Sequence, residues 1–283
     1  MSPKTPFPTP ESPFHPLPLS NITIPRTPLT EASHAFLLQH NSHITINHCL
    51  RSVCFALLLA QRMPIFTSLT SPLDWEAITI SVMLHDMGWA TSKDILDTTV
   101  RFEVDGANIA RTFLTNHTHK HPHPPSSPGH NPLDARRLQL IWDAIALHTT
   151  PSIAAHKEPE VAAAQFGIAA DFSGPYFPPS SESGELGGLI SVDEYKEIVR
   201  AFPRDGGYRQ GFVEIMCGLC RERPETTYDN FVSEFGREFG TDGRGGGREE
   251  FTREWERKGP VLPLLMAGLG RLAALDEEVV KGV

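Results

Sequence analysis

The sequence has few cysteines, no excess of basic residues and no long apolar run, and each shortage excludes a class of protein. Four cysteines in 283 residues do not make a disulfide framework, so we expect packed free thiols. With 25 basic against 34 acidic residues, the net charge of −9 disfavours nucleic acid as a partner. No apolar run reaches membrane-spanning length, and the N-terminal segment lacks the apolar stretch of a secretory signal. We therefore expect a cytoplasmic protein that binds neither nucleic acid nor membrane.

Alternating strand patterns are also missing, whereas helical spacing of apolar residues recurs along the chain. After a first helix capped by Thr30, such segments cover about 44–62, 72–87, 103–115, 133–148, 158–172, 191–201, 207–222, 226–239, 247–257 and 261–280. The sequence therefore predicts an all-α helical bundle.

Composition suggests where the folded part of the chain begins. Residues 1–28 are rich in proline and lack periodicity, which predicts an extended, poorly ordered arm. A chain that starts at Pro28 should therefore fold and stay active. Residues 29–283 are predicted to form one domain with a helical C-terminal extension. Three loops interrupt it, and the five histidines of the first are expected to face solvent, with a lid over a site as the alternative; the loops cover 116–132, 172–188 and 240–250.

Four of the predicted helices carry a metal-binding type of side chain on the apolar stripe that should face the core. Positions i, i+4 and i+7 share one helix face, and the side chains placed in this way are His48, His85, His148 and Asp171. Asp86 follows His85 directly. Adjacent side chains on a helix diverge by about a third of a turn, so both reach one point only where the helix ends.

A divalent cation would explain this pattern. Buried imidazoles and carboxylates are costly unless they are paired or bound to metal, and two buried aspartates repel each other. Any one of these residues is more often structural, but the coincidence across four helices favours a site. The mixed nitrogen and oxygen set suits one divalent metal per chain, with zinc as first choice and iron or manganese as alternatives; the predicted ligands are His48, His85, Asp86 and Asp171.

The order of these residues resembles a known signature. His48, "HD" at 85–86, and Asp171 in "AAQFGIAADFSG" are similar to the H…HD…D pattern of the HD-domain metallohydrolase superfamily. That resemblance implies a helical HD domain with the metal held between helices by the same four residues. The segments "HCLRSVCFALLLAQRM", "RFEVDGANIARTFL" and "IWDAIALHTTPSIA" resemble fungal cyanamide-hydratase-like members, over roughly residues 29–175. Cys49 and Arg101 stand where that branch has serine, which leaves the exact substrate open.

The resemblance implies a small-molecule substrate, and addition of water to a nitrile such as cyanamide, giving urea, by a metal-bound hydroxide. His148 is the candidate acid and base, because imidazole titrates near neutral pH. Glu103 is the second candidate, or a residue that orients a ligand histidine. Arg51, three residues after His48, completes the predicted catalytic set. The structural alternatives are a packed histidine and a carboxylate at a helix N-terminus.

Two other classes of function stay open. One is an HD-type phosphohydrolase that acts on a nucleotide or small phosphate ester. A phosphate calls for converging basic side chains and often a second metal, whereas the first lysine after the "HD" pair is Lys93 and no second pair follows. The other is a catalytically silent HD domain used for binding, which the complete ligand set disfavours. The sequence also leaves a homo-oligomer open.

Overall fold

The computed structural model describes residues 12–120, 133–178, 187–204 and 207–281. Within these residues there is no strand, and a single β-bridge pairs Leu17 with Ile22. The predicted all-α fold is confirmed. The α-helices are α1 (Pro28–His40), α2 (His43–Arg62), α3 (Pro64–Thr67), α4 (Trp75–Leu84), α5 (Phe102–Lys120), α6 (Ala135–Ala146), α7 (Pro151–Ala154), α8 (Pro159–Ser173), α9 (Val192–Ala201), α10 (Tyr208–Glu222), α11 (Val232–Phe239), α12 (Arg248–Lys258) and α13 (Val261–Lys281).

Helix α2 forms the centre of the larger unit. Every residue from Thr45 to Ala60 is buried, and the helix packs against α4 and α8. Gly167 of α8 faces Ala56 of α2 so closely that a Cβ would overlap with it, so the missing side chain lets the two helices approach. By length and composition α2 is the one described helix that could cross a membrane, but 89% of its apolar window is buried in the protein. Its apolar residues therefore form the core.

The chain divides into two compact units, residues 1–208 and 209–283, where the sequence predicted one domain over 29–283. In the second unit Cys217 and Cys220 lie on α10. Their Sγ atoms face the carbonyl oxygens of Phe235 and Val232 at 3.8 and 3.2 Å. All four cysteines are free and buried, as predicted.

Helix α1 begins earlier than predicted. Its N-cap is Thr27 rather than Thr30, because the Thr27 side chain accepts a hydrogen bond from the Thr30 backbone N–H. Pro28 then takes the first helical position, where its missing N–H has no partner to lose.

The segment before α1 also differs from the predicted arm. Ile22 and Ile24 are 1% and 2% exposed and belong to the hydrophobic core. Glu197 of α9 accepts hydrogen bonds from the backbone N–H groups of Leu19 and Ser20, at 2.9 and 2.8 Å. The part of the arm from residue 12 onward is therefore packed into the first unit, whereas residues 1–11 lie outside the described residues.

Two of the three predicted loops begin later than expected. Helix α5 continues to Lys120, and its last turn carries His117 and His119, whose partial positive charge suits a helix C-terminus. Helix α8 continues to Ser173. The rest of the histidine-rich loop, 121–132, and most of the second loop, 179–186, lie outside the described residues. The glycine-rich loop is observed as predicted up to the start of α12 at Arg248.

Candidate metal centre

The "HD" pair lies where α4 ends. The helix ends at Leu84, His85 is its C-cap, and Asp86 precedes a short 3-10 turn. Because the chain leaves the helix here, both side chains turn toward one point, and Nε2 of His85 lies 3.1 Å from Oδ2 of Asp86. A Cβ on Gly88 would overlap with the Phe102 carbonyl of α5, so only glycine lets the turn pack directly on that helix. The helix end thus provides the convergence that an unbroken helix forbids.

His48 of α2 completes a group of three potential metal ligands. Its Nε2 lies 3.2 Å from Nε2 of His85 and 3.5 Å from Oδ2 of Asp86. Ligand atoms bound tetrahedrally at about 2.0–2.2 Å from an ion lie about 3.3 Å from one another. The three residues are 3%, 1% and 1% exposed. Their spacing is therefore that of a single coordination sphere, enclosed in the core.

The hydrogen bonds of the two histidines fix their tautomers. Nδ1 of His85 lies 2.7 Å from the carbonyl oxygen of Val82, and Nδ1 of His48 lies 2.7 Å from Oδ2 of Asp171. Both partners accept, so each Nδ1 carries the hydrogen and each Nε2 presents a lone pair. Neither oxygen of Asp86 accepts a hydrogen bond from the described residues. Two lone pairs and a buried carboxylate without a donor require a proton or a cation between them, so these residues fit a divalent cation.

The pKa shifts have the same cause. Burial would lower the pKa of His85, but the charges of Asp86 and Cys49 raise it well above its usual value. Burial would raise the pKa of Asp86, but the neighbouring histidines, His85 first, hold it below its usual value. The cluster therefore favours positive charge at its centre.

Asp171, the fourth predicted ligand, lies on the opposite side of His48. It contacts Nδ1 of that ring, whereas the group of potential ligands contains Nε2. Arg51 binds its carboxylate through Nε and Nη2 at 2.7 and 2.9 Å. Burial would raise the pKa of Asp171, but the bonds with His48 and Arg51 hold it far below its usual value. The structure thus brings three of the four predicted ligands together.

His148 lies just beyond α6, which ends at Ala146 rather than at 148. Its Nδ1 donates to the carbonyl oxygen of Ile145 at 2.6 Å, and its Nε2 lies 3.9 Å from Oδ1 of Asp86. Burial, and then the charge of His85, lower the pKa of His148 to about 4. The expectation that this residue titrates near neutral pH was therefore wrong, because burial penalises the charged ring. At pH 7 its imidazole is neutral, with a lone pair directed at the cluster.

Glu103 and Arg51 are both buried and fully engaged. Glu103 accepts hydrogen bonds from Thr149 Oγ1 at 2.6 Å and from Arg101 at 2.9 Å, so it ties the turn after His148 to α5. Arg51 donates to Asp171 and, through Nη1, to the Phe202 carbonyl at 3.0 Å. Both residues therefore support the site rather than face its centre.

Sequence analysis missed two residues that contact the site. Arg204 donates to Oδ1 of Asp171 at 2.7 Å, and the Tyr208 hydroxyl lies 3.2 Å from Oδ2. Both follow the part of the chain that the resemblance covers. Arg204 stands in a segment without periodicity and Tyr208 begins an ordinary amphipathic helix, so no local pattern marks either one.

Aromatic rings surround the cluster. The ring of Phe172 lies 5.1 Å from that of His48 and is 52% exposed, which places it between the cluster and solvent. Phe102 stacks on Trp89 at 4.9 Å and meets the His148 ring edge-on at 5.6 Å. These rings exclude water from the sides of the cluster.

A separate cavity of about 710 Å³ lies along α5. Its apolar lining includes Phe36, Ile95 and Phe113, and none of the three clustered residues lines it. The metal-binding group is therefore not part of this cavity.

Comparison with known proteins does not extend the assignment. No family model matches the chain, and no curated protein matches it. Membership of the HD-domain superfamily stays a prediction that rests on the motif residues alone.

Proposed function

We propose that the chain is a metal-dependent hydratase that adds water to a small nitrile such as cyanamide, giving urea. The observation that carries the proposal is the convergence of two Nε2 lone pairs on the unpartnered carboxylate of Asp86 in a buried cluster. His48, His85 and Asp86 would hold a divalent cation, with zinc as first choice and iron or manganese as alternatives. When bound, the cation supplies the Lewis acidity that brings the pKa of a water molecule toward neutrality.

His148 is the residue placed to move the proton. Its Nδ1–H is held by the carbonyl oxygen of Ile145, so Nε2 is the atom that can accept. The water oxygen bonds to the nitrile carbon while one carbon–nitrogen π bond breaks. Nε2 of His148 takes a proton from that water and delivers it to the nitrile nitrogen. Glu103, through Thr149, keeps the turn that carries His148 in place.

The surroundings of the cluster favour a small uncharged substrate over a phosphate ester. The clustered residues and His148 are at most 6% exposed. Arg51 and Arg204, the two arginines bonded to the site, both pair with Asp171. A phosphoryl group needs converging cations that are free to bind it. The phosphohydrolase alternative therefore has less support than hydration.

A substrate screen with zinc-loaded protein tests the proposal. We expect urea from cyanamide and no release of phosphate from an aryl phosphate or a deoxynucleotide. The His85→Ala variant should lose this activity. Phosphate release without urea would replace the proposal with a phosphohydrolase, and a protein that neither binds metal nor turns over any substrate would support a silent domain.

A further inference from the structure

The surroundings of Asp171 differ from those of the three clustered residues. We propose that Asp171 is a positioning residue that orients His48 through Nδ1 and does not bind the cation. This inference rests on the proposed function only in requiring a cation at the cluster. It does not depend on the hydration reaction.

The carboxylate of Asp171 is already saturated with donors. Its Oδ1 accepts from Nε of Arg51 and Nη2 of Arg204, both at 2.7 Å. Its Oδ2 accepts from Nδ1 of His48 at 2.7 Å, Nη2 of Arg51 at 2.9 Å and the hydroxyl of Tyr208 at 3.2 Å. A carboxylate offers about four lone-pair directions, and five donors occupy them. No lone pair is left for a metal ion.

The contact with His48 has the wrong direction for a shared metal. The two nitrogens of an imidazole ring point away from each other, and Asp171 faces Nδ1 while Nε2 points into the cluster. Histidines that bind metals commonly donate their other N–H to a carboxylate or a carbonyl, which fixes the ring and raises its basicity. Val82 and Ile145 provide carbonyl oxygens in this position for His85 and His148. Asp171 takes the same place for His48.

The supporting arginines make the arrangement hard to exchange. Arg51 is 0% exposed, and its charge is balanced by Asp171. Moving the carboxylate onto a metal ion would leave this buried guanidinium without its ion pair, which is costly. Tyr208 stacks on both arginines, with their Cζ atoms 5.0 and 4.7 Å from its ring centroid, and holds them in place.

A matched pair of substitutions tests the inference. Asp171→Asn and Asp86→Asn make the same chemical change in two equally buried residues. Metal-free protein is titrated with Co²⁺, and affinity and the visible absorption spectrum are recorded. We expect Asp171→Asn to bind one Co²⁺ per chain with an unchanged spectrum and an affinity about 10–100-fold lower, as for residues that orient a ligand. Asp86→Asn should lose much more affinity. If Asp171→Asn stays helical but loses Co²⁺ as fully as Asp86→Asn does, Asp171 is a ligand and the inference is wrong.

Two further measurements keep the test independent of folding. The double variant Arg51→Gln/Asp171→Asn removes both members of the buried ion pair, and we expect it to bind Co²⁺ with the wild-type spectrum. A folded double variant without Co²⁺ would overturn the inference. In wild-type protein loaded with Zn²⁺, NMR of ¹⁵N-labelled histidine should show His48 with a hydrogen-bonded Nδ1 proton and a ligated Nε2. Loss of that proton on zinc binding would contradict a positioning role.

The outcomes separate this inference from the proposed function. Wild-type protein that binds Co²⁺ but does not hydrate cyanamide overturns only the reaction, and the comparison of the two aspartates still decides the inference. Wild-type protein that binds neither Co²⁺ nor Zn²⁺ overturns the metal centre and the inference with it.

Discussion

The two sides of the His48 ring place the same residue type in opposite conditions. Asp86 on the Nε2 side and Asp171 on the Nδ1 side are each 1% exposed. Arg51 and Arg204 neutralise Asp171, whereas neither oxygen of Asp86 accepts a hydrogen bond within the described part of the chain. Desolvation is therefore equal, and the difference lies in the source of positive charge. A buried carboxylate indicates a cation only where the chain itself does not neutralise it.

The largest stability effect is expected on the neutralised side. Asp171→Asn should lower the free energy of unfolding of the metal-free protein by about 3–5 kcal/mol, because Arg51 would be left buried without its partner. Urea denaturation of metal-free protein measures this.

The same substitution on the other side should have the opposite sign. In metal-free protein Asp86→Asn removes a buried charge that has no donor, and its amide can donate to a histidine Nε2. We expect a gain of about 1–3 kcal/mol in the free energy of unfolding. Equal losses in the two variants would show that the two aspartates do not differ as described.

His148 tests whether the cluster side carries the chemistry. His148→Asn should keep the metal and lower turnover by about 10²–10⁴-fold, the usual contribution of general acid–base catalysis. His156→Asn, at an exposed histidine of the same unit, is the control and should leave turnover unchanged. Loss of metal in His148→Asn would make His148 a ligand, and unchanged turnover would return it to a structural role.

Glu197 is a carboxylate that the chain neutralises with backbone N–H groups of the N-terminal segment. Removing residues 1–27 exposes Glu197 and deletes the buried Ile22 and Ile24, which at about 1.5 kcal/mol or more each predicts a loss of about 3 kcal/mol. Removing residues 1–11 alone is the control, since it spares all of these contacts. Equal melting temperatures of the two truncated chains would restore the dispensable arm that the sequence predicted.

Glu194 shows the smallest effect, because its partner lies near the surface. The hydrogen bond from Arg62 lowers the pKa of Glu194 to about 2 against a usual 4.5. A depressed carboxyl pKa stabilises the fold above pH 4.5, and that contribution is lost as the pH falls toward 2. Solvent screening limits it to about 1 kcal/mol or less. Glu194→Gln should therefore make stability less dependent on pH in this window, and an unchanged slope would show that the pair is not formed in solution.

The local pattern of the sequence predicted what depends on one helix at a time. The apolar stripe of α2 predicted 44–62 against the observed His43–Arg62, and the same stripes brought His48 and the "HD" pair to one point. The role of Asp171 depends instead on Arg204, 33 residues away in a segment without periodicity. Such a pairing exists only in the folded chain. Similarly, two core isoleucines in a proline-rich segment are too few to form a period, so composition alone concealed Ile22 and Ile24.

The central claim is that the cluster of His48, His85 and Asp86 holds one divalent cation. Calorimetric titration of metal-free wild-type protein with Zn²⁺, alongside His85→Ala, tests it most directly. The account predicts saturation at one Zn²⁺ per chain in the wild type and no measurable site in the variant, which should keep its helical circular-dichroism spectrum. No saturable binding in the wild type, or equal stoichiometry and affinity in both proteins, would contradict it.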